Sequence, residues 1–426
     1  MREYFRSLNP RLPRSVLILQ AGGLLNAVGN GIVMPFLFIY LHNERGFSLA
    51  LAGLVVAFLG MVGLAAGPVA GAAVDRIGAR RSLTISLAFM ALGYGGLALV
   101  HEPWHAFAVS VLAGIGNAGF WPGQSSLLAG LTEGQAGERH AAYAMQRVVM
   151  NLGIGVGGLI GGVVAGFSFE LLFLLDAVSF LAFMVVLQLV PDPALPAHEE
   201  AAGGYRAVFR DKAFVGFVLL NVVFVTAGIA QLMQSLPVFA KNEASVTEGQ
   251  IGVIFFANTL LIVLAQLPVA KLLEGRRRMK ALAFMALLWA ASWLLVGVAG
   301  WGLETGAAAI AFGFAVVVFA VGETLQGPVW GPLVADLSPP RLRGRYMALS
   351  TGSWGVGLVI GPAAAGAILS WRPLALWPLA AAVLVAAGGA ALALERVIPE
   401  RLRVSPVRSP AAAAEPAAGI AARPSG

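Results

Sequence analysis

Long apolar stretches separated by short polar segments run along the chain from about residue 15 to residue 394. A helix needs about 20 apolar residues to cross the hydrocarbon core of a bilayer, and twelve stretches are close to that length. We predict helices at 15–41, 48–74, 82–100, 104–131, 141–167, 171–190, 213–240, 250–273, 281–300, 306–335, 346–371 and 374–394. The pattern therefore predicts an all-α membrane protein with twelve transmembrane helices, in contact with the lipid bilayer.

The composition supports this class. Of the 426 residues, 58% are hydrophobic and 12% are charged, against ~25% charged in soluble domains. Such a chain has too little polar surface for water, whereas lipid tails solvate apolar side chains. The absence of cysteine excludes disulfides, thiolate metal sites and cysteine nucleophiles. The net charge of +7 does not indicate nucleic-acid binding, because the basic residues lie between apolar stretches.

The distribution of lysine and arginine predicts the orientation. If the N-terminus is cytoplasmic, 24 of the 28 basic residues lie on the cytoplasmic side, and Arg45, Lys241 and Arg372 lie on the other. The remaining one, Arg147, falls inside the fifth predicted helix. This asymmetry follows the positive-inside rule and supports an even number of helices. We therefore expect a multi-pass protein of the cell (inner) membrane with both termini in the cytoplasm.

The predicted helices divide into two halves at 191–204, a segment rich in proline, alanine and glutamate that is typical of a flexible linker. The chain end is rich in alanine and proline, which predicts disorder. We predict an N-terminal six-helix bundle at 1–190, a cytoplasmic linker at 191–212, a C-terminal six-helix bundle at 213–396 and a disordered cytoplasmic tail at 397–426.

The two halves repeat one another. Gly116-Asn117 in the fourth predicted helix matches Gly322-Glu323 in the tenth, at an offset of 206. Because both halves begin and end on the same side, they form a parallel repeat of two pseudo-symmetric bundles. Two such bundles can rock about a site between them, which gives alternating access a physical basis.

The fifth and eleventh predicted helices share a pattern of small residues at an offset of 204. Glycines four apart lie on one face of a helix and let a neighbouring helix approach closely. Ordinary packing without a role in gating is the alternative for either helix by itself. This packing motif consists of Gly153, Gly157, Gly161, Gly162, Gly357, Gly361, Pro362 and Gly366.

The segment after the second helix reads Gly71-Ala-Ala-Val-Asp75-Arg76-Ile-Gly78-Ala-Arg80-Arg81. It resembles the signature loop between helices 2 and 3 of the major facilitator superfamily. The fifth and eleventh helices, together with Gly29-Asn-Gly-Ile-Val-Met-Pro35 in the first, are similar to patterns in bacterial drug:proton antiporters, the multidrug efflux branch. The resemblance covers nearly the whole chain and implies the major facilitator fold.

The resemblance also implies a gating role for this loop. Asp75 would face the N-terminus of the eleventh helix, whose dipole favours an anion, and Arg76 and Arg80 would join a charge network that closes the cytoplasmic side. The chain departs from the family pattern at Ala79, where arginine is usual. A topology signal alone is the alternative for the basic cluster. The candidate gating residues are Gly71, Asp75, Arg76, Gly78, Arg80 and Arg81.

Ionisable residues inside membrane helices are functional candidates, because a charge at that depth is costly. Glu323 lies about midway along the tenth helix, and Asp176 lies about six residues into the sixth. Both are candidates for proton coupling. The alternative for Glu323 is a neutral, hydrogen-bonded acid that links helices, and for Asp176 a packing or capping role is favoured. Arg147 could attract an anionic substrate, pair with an acid such as Glu323, or extend to the cytoplasmic surface.

Polar residues in the predicted helices are candidates for lining a substrate cavity, although a single amide more often links two helices. The candidates are Asn30, Asn117, Arg147, Asn151, Asn221, Gln231, Gln234 and Asn258.

Two enzyme motifs are excluded by their context. His101-Glu-Pro-Trp-His105 matches a zinc-protease pattern, but Pro103 keeps the two histidines off one helical face. Gly114-Ile-Gly-Asn-Ala-Gly119 matches a dinucleotide pattern, but it lies inside a membrane helix without a preceding strand. We therefore expect no enzyme activity, no metal and no cofactor, with a proton gradient as the energy source.

The sequence predicts a secondary active transporter that exports amphipathic or apolar small molecules in exchange for protons and acts as a monomer. The antiporter-like helices, the sparsely charged interior and one acid near the midplane favour this function. Two alternatives remain open: a proton-coupled or facilitative importer of a small metabolite, and a non-transporting membrane receptor or assembly protein.

Overall fold

The computed structural model describes residues 12–133, 136–193, 205–303 and 305–406. Within these ranges the chain forms twelve long helices, and an isolated bridge is its only β-type pairing. Their bounds are α1 Arg14–Val33, α2 Leu49–Ile77, α3 Ala79–Leu97, α4 Pro103–Leu131, α5 Ala136–Ala165, α6 Phe169–Leu187, α7 Lys212–Phe224, α8 Glu248–Leu272, α9 Arg278–Ala299, α10 Thr305–Leu337, α11 Arg343–Trp371 and α12 Leu376–Leu394. Irregular turns extend α1 through Leu37–Ile39 and Tyr40–Glu44, and extend α7 through Val225–Ile229, Gln231–Ser235 and Leu236–Ala244.

Ten of these helices are long and apolar enough to cross a membrane. Polar residues and glycines lower the hydropathy of the other two, α3 and α4. These two helices run antiparallel along each other, with Gly93 against Ala113 near one end and Gly123 against Leu83 near the other. The prediction of an all-α membrane protein is confirmed, with ten crossings supported by length and apolarity and α3 and α4 as a tightly packed hairpin beside them.

Prolines accompany the irregularities in α1 and α7. α1 stops at Val33 and resumes beyond Pro35, which has no N–H to donate and crowds the carbonyl of the preceding turn. In α7, two π-turns precede Pro237. There the Nε2 of Gln231 donates to the carbonyl oxygen of Thr226 at 2.8 Å. Such a bond satisfies a carbonyl group where the regular helical ladder is interrupted.

Helices α1–α6 form one bundle, and α7–α12 form a second. In the first, α1 packs on α5 and α6, while α4 packs on α2 and α3. In the second, α9 packs on α10 and α12, and α7 packs on α11. The second bundle has an aromatic core, in which Trp289 stacks on Phe319 with ring centroids 4.5 Å apart and the ring of Trp293 lies 5.2 Å from that of Trp377.

The connection between the bundles is partly helical. Within the predicted linker, Tyr205–Arg210 forms a short helix, and α7 already begins at Lys212. Asp211 caps α7, because its Oδ1 accepts a hydrogen bond from the N–H of Phe214 at 3.0 Å. The remainder of the linker, 194–204, lies outside the described residues.

The first part of the predicted tail is ordered, which corrects the expectation of disorder from residue 397. Glu400–Leu402 forms a 3-10 turn, and Val404 pairs with Arg277 in an antiparallel bridge. The composition of the segment did not indicate this partner, which the loop between α8 and α9 supplies. The rest of the tail, 407–426, lies outside the described residues.

Glycines set the distance between α1 and α5. A Cβ atom on Gly157 would collide with the carbonyl oxygen of Val28 and would lie 2.8 Å from the Cα atom of Gly31. Backbone atoms occupy this space, so a side chain cannot enter unless the helices separate. The predicted stripe of Gly153, Gly157 and Gly161 therefore faces α1.

The variant Gly157→Ala should destabilise the protein, because the new Cβ atom meets backbone rather than a flexible side chain. Overpacking of this kind costs about 1–3 kcal/mol, and thermal unfolding in detergent, followed by circular dichroism, measures the loss. Gly67→Ala is the matched control, since no described atom lies within 4 Å of a Cβ atom at that position. Equal melting temperatures for the two variants would contradict the packing role of Gly157.

Candidate functional site

The two bundles approach each other most closely on the side of the connection between α1 and α2. Here α2 contacts α11, and α5 contacts α8. A Cβ atom on Gly53 would collide with the carbonyl oxygen of Pro362 and would lie 3.1 Å from the Cα atom of Gly366. In the second contact, a Cβ atom on Gly252 would lie 3.2 Å from the Cα atom of Gly162. The bundles are thus joined by close backbone contact.

The packing motif has two faces in each helix. One face holds helices of the same bundle together, and the other holds the two bundles together. The face within a bundle comprises Gly153, Gly157, Gly161, Gly357 and Gly361. The face between the bundles comprises Gly162, Pro362 and Gly366.

On the side where α1 begins and α12 ends, the bundles separate. Among the glycines of α2 and α11, the contact nearest this side is that of Gly355 with the side chain of Leu64. Nearer that side, no described atom lies within 4 Å of a Cβ atom built on Gly67, Gly71 or Gly352. A cleft between the bundles therefore opens toward this side, which we call the terminus side.

Polar contacts reinforce the closed side. The Nδ2 of Asn43, beyond the break in α1, donates to the Oδ1 of Asn242 in the second bundle at 2.8 Å. The N–H of Ala50 in α2 donates to the Oγ of Ser370 in α11 at 2.9 Å. Both bonds cross from one bundle to the other, so they are lost if this side opens.

Two cations also lie at the closed side. Arg45 donates to the Oε1 of Glu170 at 2.6 Å and to the hydroxyl of Tyr40 at 2.7 Å. Burial lowers the pKa of Arg45, but its interactions with Tyr40 and Glu170 outweigh this and raise the pKa overall. The ammonium of Lys241 in the second bundle lies 5.8 Å from the ring centroid of Phe169 in the first.

Glu323 lies about midway along α10 and is partly buried. The side-chain amide of Asn258 in α8 lies close to its carboxyl group, and Oε2 has no partner among the described residues. The neighbouring Gly322 leaves room for the indole of Trp289, which would lie 2.7 Å from a Cβ atom there. Because this ring fills the space toward α9, Glu323 turns toward α8.

Arg147 extends from α5 of the first bundle to α10 of the second. Its Nη1 lies 3.8 Å from the place of a Cβ atom on Gly327, and the Nε2 of Gln266 lies 3.0 Å from the same place. Gln266 also donates to the carbonyl oxygen of Thr324 at 3.4 Å. Gly327 follows Glu323 by one helical turn on the same face. The structure thus brings Arg147 and Glu323 to one stretch of the α10 surface.

Asp176 lies in a different place, fully buried inside the first bundle. The Oγ of Ser179 donates to its carbonyl oxygen at 2.7 Å and to its Oδ1 at 3.3 Å, and Oδ2 has no partner among the residues that the structure describes. Gly29 of α1 makes room for this carboxyl group, which a Cβ atom there would hit. The two predicted coupling acids are therefore in separate bundles and do not form one site.

Four of the predicted cavity residues are partly exposed: Asn30, Asn117, Asn151 and Gln234. Asn117 donates to the hydroxyl of Tyr94 at 3.1 Å. Their partial exposure is compatible with a place in the wall of the cleft.

Asn221 and Gln231, which the sequence predicts in the cavity, are buried in the second bundle instead. The Nδ2 of Asn221 donates to the Oγ of Ser353 at 2.8 Å, and Gln231 donates to the carbonyl oxygen of Gly361 at 3.4 Å. Both side chains join α7 to α11; Gln231 lies in the second π-turn, whereas Asn221 lies in the regular part of α7 before both π-turns.

The signature loop makes no hydrogen bond or ion pair with α11 in the described part of the chain. Asp75 is exposed and has no hydrogen bond or ion pair with the described residues, and Arg76 and Arg81 are exposed as well. The described residues therefore contain no hydrogen bond between Asp75 and the N-terminus of α11, the contact that the resemblance implies. The reason is that α2 and α11 are apart on the terminus side.

Within its own bundle, the loop is fixed at two points. Gly78 ends α2 with a φ of 91°, a conformation that side chains disfavour. Arg80 donates to the carbonyl oxygen of Val190 at 3.1 Å, and its Nε lies 3.7 Å from the Oδ2 of Asp192. This loop is thus tied to the chain that leaves α6.

The sequence interpretation missed Gln266, Thr324 and Gly327. Gln266 follows Asn258 by eight residues, so both lie on nearly the same face of α8. Two amides with that spacing in an apolar helix could have predicted a polar strip on one face of α8. The role of Gly327 was not visible, because it depends on the approach of Arg147 from the other bundle.

These features define a class: a polytopic α-helical membrane protein with two six-helix bundles, a cleft open on one side and an acid near the cleft. The sequence profile of the Major Facilitator Superfamily matches residues 20–245 and 235–424. The chain therefore belongs to the Major Facilitator Superfamily, and the predicted family is confirmed.

Similar proteins agree with this assignment. The chain is 27% identical over 366 residues to the MFS-type transporter YttB of Bacillus subtilis (strain 168), covering 84% of this chain and 89% of YttB. It is 27% identical over 346 residues to the multidrug resistance protein MdtH of Cronobacter sakazakii (strain ATCC BAA-894), covering 80% and 83%. The solved structure of the nucleoside transporter NupG has the same fold, with a TM-score of 0.76 at 14% identity over 89% of this chain and 100% of that one. The protein is a membrane transporter and not an enzyme.

The one-sided contact predicts which cysteine pairs will crosslink in this cysteine-free chain. Ala50→Cys with Ser370→Cys should crosslink readily in the purified protein, because these residues are hydrogen-bonded across the bundles. Gly67→Cys with Gly352→Cys should crosslink more slowly, because both positions face open space. Gel mobility after mild oxidation measures the two rates. Faster crosslinking of the second pair would show that the bundles meet on the opposite side.

Proposed function

We propose that the protein is a secondary active transporter that exports amphipathic or apolar small molecules in exchange for protons. The observation that carries the proposal is Glu323, a partly buried acid one helical turn from Gly327, which Arg147 of the other bundle approaches, in a structure whose bundles are in closest contact on one side. The identity of 27% to the multidrug resistance protein MdtH supports the substrate class.

We assign the open side of the cleft to the cytoplasm of a bacterial inner membrane. The assignment is supported by the excess of lysine and arginine in the segments on that side. In this orientation the structure is inward-open. The contacts of α2 with α11 and of α5 with α8 then close the outer side.

The cleft suits a molecule with a large apolar part. Charges are few at membrane depth, and Arg147 and Glu323 lie close together near one wall. Apolar side chains favour burial of apolar substrate surface by about 25 cal/mol per Å². Partly exposed amides, among them Asn151 and Gln234, offer hydrogen bonds without fixing one substrate shape.

Glu323 carries the proton in the proposed cycle. In the outward-open state its carboxylate takes up a proton from the outer side. The neutral acid is compatible with the inward-open state, since an unpaired buried charge is disfavoured. Release of the proton to cytoplasmic water leaves a carboxylate, and the substrate-loaded protein returns to the outward-open state. Inward movement of protons is thereby tied to outward movement of substrate.

The coupling role goes to Glu323 rather than to Asp176. Asp176 is sealed inside the first bundle, so a movement of one bundle against the other leaves its surroundings unchanged. It serves better as a neutral acid that packs α6 against α1. One chain supplies both bundles, so the proposed functional unit is the monomer.

Transport in proteoliposomes with a pH gradient tests the proposal. The wild-type protein should move a fluorescent amphipathic cation against its gradient, with a measurable proton flux. Glu323→Gln should lose proton-driven transport but retain downhill movement, because the amide binds substrate but takes up no proton. Asp176→Asn is the matched control, since it makes the same kind of change in the other bundle, and it should keep coupling.

Each other result has a definite meaning. Normal coupled flux in Glu323→Gln would remove this residue as the essential proton carrier. Loss of coupling in Asp176→Asn alone would assign that role to Asp176. In whole cells, accumulation of the cation instead of depletion would show an importer.

A further inference from the structure

The membrane interior holds a positive and a negative side chain on opposite bundles, about one helical turn apart. Arg147 belongs to α5, and Glu323 belongs to α10. They are not paired in this structure: Arg147 has no hydrogen bond or ion pair with the residues described here, and the nearby polar group at Glu323 is the amide of Asn258. A small movement of one bundle against the other is enough to change their separation.

The surface of α10 is shaped to let the guanidinium come close. Gly327 has no side chain, and the Nη1 of Arg147 lies 3.8 Å from the place where a Cβ atom would be. Gln266 lies along the same groove and donates to the carbonyl oxygen of Thr324. The side-chain amide of Gln266 therefore lies between Gly327 and the turn of α10 that contains Glu323.

Except for Glu248 at the closed-side end of α8, which pairs with Lys241, the other described ionisable groups on the helices around this place lie nearer the terminus side. Arg278 is already neutralised, because its Nη1 lies 2.7 Å from the Oδ2 of Asp336. Tyr143 donates to the carbonyl oxygen of Ser125 inside the first bundle. On that side, these groups are Glu138, Arg139 and Tyr143 on α5, Lys271 on α8, Arg278 and Lys280 on α9, Asp336 on α10, and Arg343, Arg345 and Tyr346 on α11.

We infer that Arg147 is the counter-ion through which the protonation state of Glu323 controls closure of the terminus side. The inference rests on the proposed coupling role of Glu323. When Glu323 is charged, it attracts Arg147 and draws α5 toward α10, and the pair stabilises the closed terminus side. When Glu323 holds a proton, the attraction is lost and the terminus side opens. Arg147 acts through Glu323 and is a positioning residue.

The direction of this effect agrees with exchange. The proton enters from the outer side, neutralises Glu323 and favours the inward-open state, from which it leaves to cytoplasmic water. The charged acid then favours closure of the cytoplasmic side, and the bound substrate is carried outward. If the pair attracted when Glu323 is protonated, the protonated protein would favour closure of the cytoplasmic side. The proton and the substrate would then not be exchanged across the membrane.

Distances between spin labels on the terminus side test the inference. The cysteine-free chain allows labels at Ile77→Cys on α2 and Met347→Cys on α11, both exposed. Without substrate, the wild-type distance in nanodiscs should shorten as the pH rises through the titration of Glu323. Arg147→Gln should stay open at every pH, whereas Arg147→Lys should keep the response. Arg139→Gln is the matched control, because it removes a charge from the same helix.

The outcomes separate this inference from the proposed function. Closure in Arg147→Gln with the wild-type pH midpoint would overturn the inference, while a flat response in Glu323→Gln would leave the coupling role of that acid intact. Wild-type closure in both variants would overturn both. If Arg147→Gln does not fold, Gly327→Leu replaces it, since the new side chain occupies the place that the guanidinium approaches. Unchanged closure in Gly327→Leu would then count against the inference.

Discussion

Close approach of helix backbones at glycine is the constraint on which the rest of the structure depends. In a bilayer, lipid is as apolar as the helices, so their association relies on van der Waals contact between small residues. α5 lies on α1 through a face that includes Gly157, and on α8 of the other bundle through a face that includes Gly162. The closest backbone contact of this second face is at Gly162, near one end of the helix, so the bundles are joined most tightly on that side.

The placement of the buried charges follows from this arrangement. Asp176 is enclosed by helices of one bundle, so its surroundings stay the same when the bundles move. Glu323 and Arg147 lie where the bundles face each other, so their surroundings differ between the two states. A proton can bias a movement only if its binding site differs in free energy between the states. Position relative to the contact between the bundles, more than burial, therefore distinguishes the two acids.

Periodic features could be predicted from the sequence, and features that depend on helix rotation or on the conformational state could not. The glycine spacing around Gly157 indicated a close helix contact, and the repeat placed Glu323 midway along a membrane helix. Asn221 and Gln231 were misplaced because the rotation of α7 that turns them toward α11 does not follow from the sequence pattern; of the two, only Gln231 lies in a π-turn. Asp75 was expected to meet α11, but its contacts depend on which side of the protein is open. The inward-open and outward-open conformations of one sequence differ only slightly in free energy, so the sequence pattern does not indicate which of them is observed.

The repeat also explains why the charges can act as a pair. The two halves share a scaffold, and Glu323 in α10 corresponds to Asn117 in α4. Arg147 in α5 corresponds in the same way to Thr351 in α11. Had the halves kept identical residues, two acids and two cations would occupy equivalent places, and like charges would face each other across the cleft. Divergence at these two positions leaves one acid on one bundle and one cation on the other. A symmetric scaffold supplies the rocking movement, and its asymmetric chemistry lets a single proton favour one end of that movement.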